Sequence, residues 1–553
     1  MAAGENFRCV VVGEGTLPII CSEAIRQRGH EILAVVSPDP AVLRWGRLNG
    51  IAQAAEPTEL PALLEGAPFE YLFSIVNFQK IPDRLLKRAQ QYAINYHDGP
   101  LPRYAGTHAT SWALLNGETR YAVTWHVMTR RSDAGDILKQ VPVDIEPDDT
   151  ALSLNAKCFE SAVTGFLALL DDLEADEIVP RPQDLTERSF FRRSQRPTVG
   201  CTLSFEAPAE YLYRLMRALD FGPYLNPLGL PKIALGQSFA LVTELDVLDG
   251  RAGSAAGTVV EITAGGLIVT TATDDVALAE FFTIDGAPMS VSEMVEREGL
   301  RAGARVGAME EGRAARLASL CEALSGHEPF WLAELAEAQP TRLPCVLGSA
   351  GPSQRVAEEL TLDSRRLSPV ACAGQSGGDS LLTAFAMFLV RLTGTGRVNV
   401  GFSDARINRE VGDLHPFFST CLPLCVTASA EASFEQFAQL MSIQLENVRA
   451  HRGYARDAPV RDPVLRAKLD ATEPSAWPIG VEILDGPGRQ SQAPLTPGRV
   501  LTARIDAEGT ACTFVYDPGV LDPALVEGLS RQFRVFLETL PVASGNRSAR
   551  TLM

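Results

Sequence analysis

The 553-residue sequence predicts an α/β chain in three successive segments, and three observations carry that expectation. Short apolar strands alternate with amphipathic stretches through about residue 190, the pattern of a sheet with helices on its faces. A glycine-punctuated series of short strands follows at about 198–308, the pattern of a small β-barrel. From about 309 to 553 helices lead into mixed α and β. Length agrees, since about 150 residues per domain gives roughly three or four domains.

In the first segment, 7–13 reads as a buried strand, 17–28 as a helix and 31–37 as a second strand. Further strands are expected at 71–76 and 93–96, with a helix at 83–91 between them, and all of these point to an open parallel sheet. A long helix at 150–173, apolar at Leu152, Leu154, Cys158, Ala162 and Phe166, closes the domain. The polar, Pro- and Arg-bearing stretch 180–197 reads as a linker. In the second segment, strands are expected at 239–247, 257–262, 266–271 and 276–282. In the third, helices are expected at 312–324 and 329–337.

Composition narrows the partners. Lys plus Arg number 50 against 68 Asp plus Glu, a net charge of −18, and no segment offers the clustered cations of a nucleic-acid footprint. No run of eighteen apolar residues suggests a membrane span, and the first residues do not resemble a secretion signal. The ten cysteines are scattered without a Cys-x-x-Cys, and no zinc set forms around Cys421 and Cys425, so reduced thiols in a cytoplasmic protein are expected.

Asn95-Tyr96-His97 lies where an apolar strand meets the loop Asp98-Gly-Pro-Leu-Pro-Arg-Tyr-Ala-Gly106. Residues i and i+2 of a strand share a face, so Asn95 and His97 can enter one crevice, at the sheet end where α/β folds bind ligands. Asp133, followed by Ala-Gly after a strand at 123–128, is placed on a loop near the same crevice. An amide donor, an imidazole and a carboxylate suit oxyanion stabilisation and proton movement in acyl transfer. A satisfied core histidine with turn-forming Asn and Asp is the other reading of the same pattern. Gly13-Glu-Gly15 lacks the third glycine of a dinucleotide loop and is expected to serve a tight strand–helix turn. His30 is expected to cap a helix or face solvent, and His108 and His126 to line the pocket rim or to be structural.

Asn95-Tyr-His97, Pro100-Leu-Pro-Arg-Tyr-Ala-Gly106, Gly117-Glu118, Val123-Thr-Trp-His126 and Asp133-Ala-Gly-Asp136 together resemble the 10-formyltetrahydrofolate-dependent formyltransferases. The resemblance implies a Rossmann-like catalytic domain at 1–190 with Asn95, His97 and Asp133 as catalytic trio and 10-formyltetrahydrofolate as co-substrate. It implies a pterin-holding loop at 73–82, with Phe73, Ser74, Val76, Asn77, Phe78 and Ile81 acting largely through backbone groups. Asp98-Gly99 departs from the commonest family pattern, Pro-Ser. The run 217–227 resembles the start of the family's OB-like C-terminal domain, placed here at 198–308, but 271–280 offers no basic groove for tRNA.

The third segment, 309–553, resembles the C-terminal half of a nonribosomal peptide synthetase condensation domain through Glu328-Pro-Phe-Trp331, 381–391, Val398-Asn-Val-Gly-Phe402, Phe417-Phe-Ser-Thr-Cys-Leu-Pro423 and Tyr516-Asp-Pro518. All seven histidines are isolated, so the His-His-x-x-x-Asp-Gly motif of a complete condensation domain is missing, which implies a truncated, noncatalytic lobe. Gly377-Gly-Asp-Ser380 matches a phosphopantetheine attachment pattern but reads as a helix start capped by Asp379 and Ser380. Together these resemblances imply an N-formyltransferase of natural-product assembly acting on an aminoacyl group held by a carrier protein, with an adenylation domain as a further partner. A free amino-acid amine or hydroxylamine of the hydroxyornithine type, hydrolysis of the folate, and a noncatalytic carrier-binding scaffold are the alternatives.

Overall fold

The computed structural model describes residues 6–343, 358–362, 375–429, 431–471, 477–485 and 499–540. The first sheet contains β1 (Arg8–Gly13), β2 (Glu31–Val36), β3 (Ala52–Ala54), β4 (Phe69–Ile75), β5 (Ala89–His97), β7 (Arg120–Val127) and β8 (Ile137–Asp144). Its spatial order is β3-β2-β1-β4-β5-β7-β8. Alternate residues of β1 point to opposite faces: Cys9 and Val11 join a core with Phe73, Trp125 and Phe166, while Val10 and Val12 join one with Leu60, Leu72 and Leu85. Coverage on both faces explains why these strands are apolar throughout rather than alternating. The Ala151–Ala175 helix starts on a reciprocal cap between Thr150 and Ser153 and lays Leu154, Cys158, Ala162 and Phe166 inward.

Two expectations change here. The helix foreseen at 83–91 is one turn, Asp83–Leu86, because Ala89–His97 extends as strand. The sheet is mixed rather than parallel: β1 to β5 run parallel to their neighbours, but β7 pairs antiparallel with both β5 and β8. After β5 the chain forms the short Ala109–Leu115 helix at the sheet's carboxyl end and re-enters beside β5 in the reverse direction. The antiparallel ladder sets Asn95 opposite His126 and His97 opposite Thr124.

A two-stranded parallel ribbon, β6 (Ala105–Gly106) with β9 (Phe190–Phe191), ties the stretch expected to be a linker back onto this domain. The next sheet has β10 (Lys232–Leu235), β11 (Ser238–Val247), β12 (Val259–Ile262), β13 (Gly266–Val269) and β14 (Val276–Thr283), all antiparallel in the order β10-β11-β14-β13-β12. The Ala209–Ala218 helix buries Ala209, Leu212, Leu215 and Met216 in a core shared with the Ala109–Leu115 helix.

The last sheet has β15 (Glu358–Leu362), β16 (Arg397–Asp404), β17 (Leu422–Thr427), β18 (Ile479–Leu484), β19 (Leu501–Asp506) and β20 (Cys512–Tyr516), in the order β15-β20-β19-β18-β16-β17. Its central Gly377–Thr393 helix is buried from Gly378 to Val390. Ser376, not Asp379 or Ser380, caps that helix by accepting from the Asp379 amide. Asp379 is instead gripped by both terminal nitrogens of Arg449 at 2.9 and 2.7 Å, and Ser380 is 1% exposed, too deep to serve as an attachment serine. His30 is also corrected: it is buried, stacked on Phe7 at 3.6 Å and bonded to Glu174 at 2.8 Å.

Charged groups buried together join the last two segments. Lys232 Nζ lies 2.6 Å from Asp457, both 1% exposed, and Arg461 bonds Glu328 at 2.8 Å while facing Asp457 at 3.4 Å. Phe239 and Leu241 pack with Leu317, Leu414, Phe417 and Phe418 around this joint. Among the described residues, no helix is long and apolar enough to cross a membrane.

Candidate active site

The ends of β5 and β7 converge with two loops at the carboxyl edge of the first sheet. Asn95 and His97 are two residues apart on β5 and share a face. The antiparallel pairing puts His126 on that face directly beside Asn95, where opposed side chains sit closest. Tyr96 and Trp125 take the other face and pack with ring centroids 5.2 Å apart. The site is therefore backed by aromatic core on one side and open to polar chemistry on the other.

His97 is 5% exposed, and its Nε2 lies 2.8 Å from the Tyr104 carbonyl. A carbonyl only accepts, so Nε2 carries the hydrogen and Nδ1 is the nitrogen left to take a proton. Asp98 Oδ1 stands 3.7 Å from that Nδ1. The Asn95 amide donates to the Tyr96 carbonyl at 2.9 Å and faces His126 Nε2 at 3.2 Å. His126 Nδ1 in turn lies 3.0 Å from the Val127 carbonyl.

Asp133 accepts from the Gly106 amide at 2.9 Å, and its other oxygen is 3.5 Å from His126 Nε2. Burial by itself would raise its pKa. The His126 hydrogen bond, the charges of His97 and His126 and the Gly106 amide outweigh burial and hold the carboxyl well below the usual carboxylate range. The contacts of Asp133 are His126 and Gly106, and His97 acts on it through charge. The Tyr104 carbonyl orients His97.

Asp133 and Tyr104 have positive φ, 51° and 58°, values that non-glycine residues adopt only when surroundings hold them. Gly106, at φ 103°, admits no side chain, because a Cβ there would lie 2.0 Å from the Phe191 carbonyl oxygen.

In the loop expected to face the pterin, Val76 turns the chain at φ 51° and its carbonyl accepts from the Glu14 amide at 3.1 Å. Asn77 spends its side chain inside the turn, on Ser74 Oγ, the Gln79 carbonyl and the Gln79 amide. Ser74 is buried at the end of β4 beside Asn95. Phe73 and Ile81 are core residues of opposite sheet faces, so their side chains are spent on packing. Phe78 is 59% exposed at the rim, with the Arg193 guanidinium 5.8 Å from its ring centre. Gln79 Oε1 is buried with no hydrogen-bond partner among the described residues, an unmet acceptor that a heterocycle rich in N–H groups satisfies. The residues present therefore fit a pterin.

Sequence reading left His126 between the pocket rim and a structural role and missed three further contributors, Gln79, Gln183 and Arg188. His126 belongs to the polar cluster, a placement set by strand direction, and Gln79 supplies the unmet acceptor. Gln183 and Arg188, from the stretch read as linker, donate to the backbone of the Asp133 loop. His108 sits outside the cluster at φ 57°; burial, then Arg196 and Arg193, depress its pKa to about 3.

Residues 53–170, a stretch that contains Asn95, His97, His126 and Asp133, match the formyl transferase family. Solved structures similar to this chain include WlaRD, a sugar 3N-formyl transferase crystallised with dTDP and 5-N-formyl-THF. The two are 16% identical over 50% of this chain and 98% of that one, with a TM-score of 0.40. An N-formyltransferase from Helicobacter canadensis, in complex with folinic acid and dTDP-3-aminofucose, is 15% identical over 50% of this chain and all of that one, TM-score 0.41. HypX from Aquifex aeolicus, in complex with tetrahydrofolic acid, is 16% identical over 53% of this chain, TM-score 0.38; the match spans 48% of HypX.

Proposed function

We propose that this chain transfers the formyl group of 10-formyltetrahydrofolate to an amine, and that the amine is the α-amine of an aminoacyl group thioester-linked to a carrier protein. The observation that carries the transfer chemistry is the convergence of Asn95, His97, His126 and Asp133 on one face at the sheet's carboxyl edge, inside the formyltransferase domain. The carrier-bound acceptor is supported by the condensation-like order of the third segment.

The co-substrate supplies a formyl carbon carried on N10, the nitrogen between the pterin and aminobenzoyl rings, and amine attack puts negative charge on the formyl oxygen. His97, with Nε2 fixed on the Tyr104 carbonyl, takes the amine proton at Nδ1 and passes it to N10 as the C–N10 bond breaks and tetrahydrofolate leaves. Asn95 turns the N–H that faces His126 toward the developing oxyanion. A single donor of this kind contributes ~3 kcal/mol. Asp133, held ionised, stabilises charge on both imidazoles.

The test is turnover of 10-formyltetrahydrofolate by the purified chain, with and without aminoacyl-loaded carrier protein and free amino acids, followed by tetrahydrofolate release and acceptor mass. A formyl mass gain on the loaded carrier alone is expected. Gain on a free amine moves the acceptor off the carrier, formate with no modified acceptor makes the chain a hydrolase, and no turnover makes it a scaffold.

A further inference from the structure

We infer that residues 181–191 form a strap that positions the catalytic loops, with Arg188 and Gln183 as positioning residues for Asp133. The inference rests on the formyl-transfer reading of the site. The strap touches both loops that hold the catalytic groups. On the Asp133 side, Arg188 donates to the Asp133 and Ser132 carbonyls, each at 3.0 Å, and Gln183 donates to the Gly135 carbonyl at 2.6 Å and the Asp133 carbonyl at 3.3 Å. On the His97 side, Ser189 Oγ accepts from the Tyr104 amide at 2.7 Å and its carbonyl accepts from the Ala105 amide at 3.0 Å. Tyr104 is the residue whose carbonyl orients His97.

The strap is itself anchored at both ends. Arg181 pairs with Ile137 at the start of β8, the backbone amides donating at 2.8 and 2.9 Å. Phe191 is sandwiched between Tyr104 and Trp112, stacked with centroids 5.6 and 4.7 Å away. Between these anchors, Arg188 lays its guanidinium over the Phe190 ring at 5.0 Å, which limits its rotamers.

The physical need for such a strap is the backbone of Asp133. A non-glycine residue at φ 51° is strained, and it holds that conformation only where neighbours over-determine it. The Asp133 side chain is occupied by His126 and Gly106, so it is the backbone carbonyl, tied by a guanidinium and an amide, that holds the turn. Arg188 and Gln183 touch no reacting atom. They set where the carboxylate lies relative to His126, and a misplacement of about 1 Å at a reacting group costs up to ~10²-fold in rate.

The test compares Arg188→Ala, Gln183→Ala and Arg188→Lys with wild type by steady-state kinetics and by hydrogen exchange read by mass spectrometry. Arg188→Ala is expected to lower kcat by roughly tenfold or more with KM for 10-formyltetrahydrofolate within about twofold. Added guanidinium-bearing small molecules should restore part of that loss, and Arg188→Lys should fall between. Arg181→Ala, whose side chain among the described residues bonds Gln140 at 3.3 Å, should leave kcat unchanged. In Arg188→Ala, peptides covering 130–137 should exchange faster while those of β1 do not. Unchanged kcat, or a rise in KM alone, overturns the positioning role. If the wild-type chain turns over no folate, the formyl-transfer reading fails, and exchange at 130–137 decides the strap separately: unchanged protection overturns it.

Discussion

Asp133, half-buried, and Asp457, buried, are carboxylates held well below the usual range, and they sit in opposite kinds of surroundings. Burial pushes each upward. At Asp457 the Arg461 and Lys232 charges, the Lys232 hydrogen bond and the Leu230 amide outweigh it; at Asp133 the counterweights are His126, His97 and the Gly106 amide. The cations around Asp457 are permanent and each holds a second partner: Lys232 also donates to the Leu230 carbonyl at 2.8 Å, and Arg461 holds Glu328. The partners of Asp133 are imidazoles and a backbone amide, and the turn that carries it is strained. A cluster of fixed charge holds two segments in one geometry. A cluster of titratable groups on a strained loop can exchange protons without rebuilding itself.

Substitutions can break or sharpen that contrast. The largest effect on stability is expected at the joint: Asp457→Ala leaves Lys232 and Arg461 buried without their carboxylate and should cost about 3–5 kcal/mol, read by urea unfolding, with kcat of the folded enzyme unchanged. Loss of turnover with intact stability would make the joint catalytic and erase the comparison. At the other cluster, His97→Ala and Asn95→Ala should lower kcat by about 10²–10³ while the unfolding midpoint stays near wild type. Full activity in His97→Ala would remove the assignment of the site.

His126→Gln is expected to be milder, roughly tenfold in kcat, because it removes the link between Asn95 and Asp133 but neither of them; no change in rate would return His126 to a structural role. A pH effect on stability is expected at His108. Its folded pKa of about 3 lies below the unfolded value of about 6.5, so the unfolded chain binds the extra proton between those limits. Its contribution is complete above about pH 6.5 and is lost as pH falls toward 3. His108→Gln should flatten the dependence of Tm on pH across that window, and an unaltered slope would show that His108 is not the group responsible. Finally, a phosphopantetheinyl transferase should leave the mass at Ser380 unchanged, because that residue is 1% exposed.

Much of this was legible in the sequence because it depends on local pattern. The apolar runs of β1, β2 and β4, the glycine-spaced strands β11 to β14 and the helix at Ala151–Ala175 lie within a few residues of where periodicity places them. Asn95 and His97 share a face because strand geometry has period two. The helix foreseen at 83–91 failed for the converse reason: its residues suit either state, and pairing with β4 from Ala89 onward decided for strand.

The sequence by itself determined the α/β character of the first segment, the polar residues at its strand ends and, through ordered motifs, the chemistry those residues are suited to. Tertiary structure alone decided the direction of β7, and with it the placing of His126 beside Asn95. It also decided that 181–191 is a strap rather than a free linker, and that Asp457 rather than any exposed acid neutralises Lys232, 225 positions away in the chain. Periodicity and capping are properties of neighbours along the chain, so they can be read from it. Strand direction and charge pairing across such distances are chosen by which arrangement buries apolar surface while leaving no charge unpaired, and that choice exists only once the whole chain has folded.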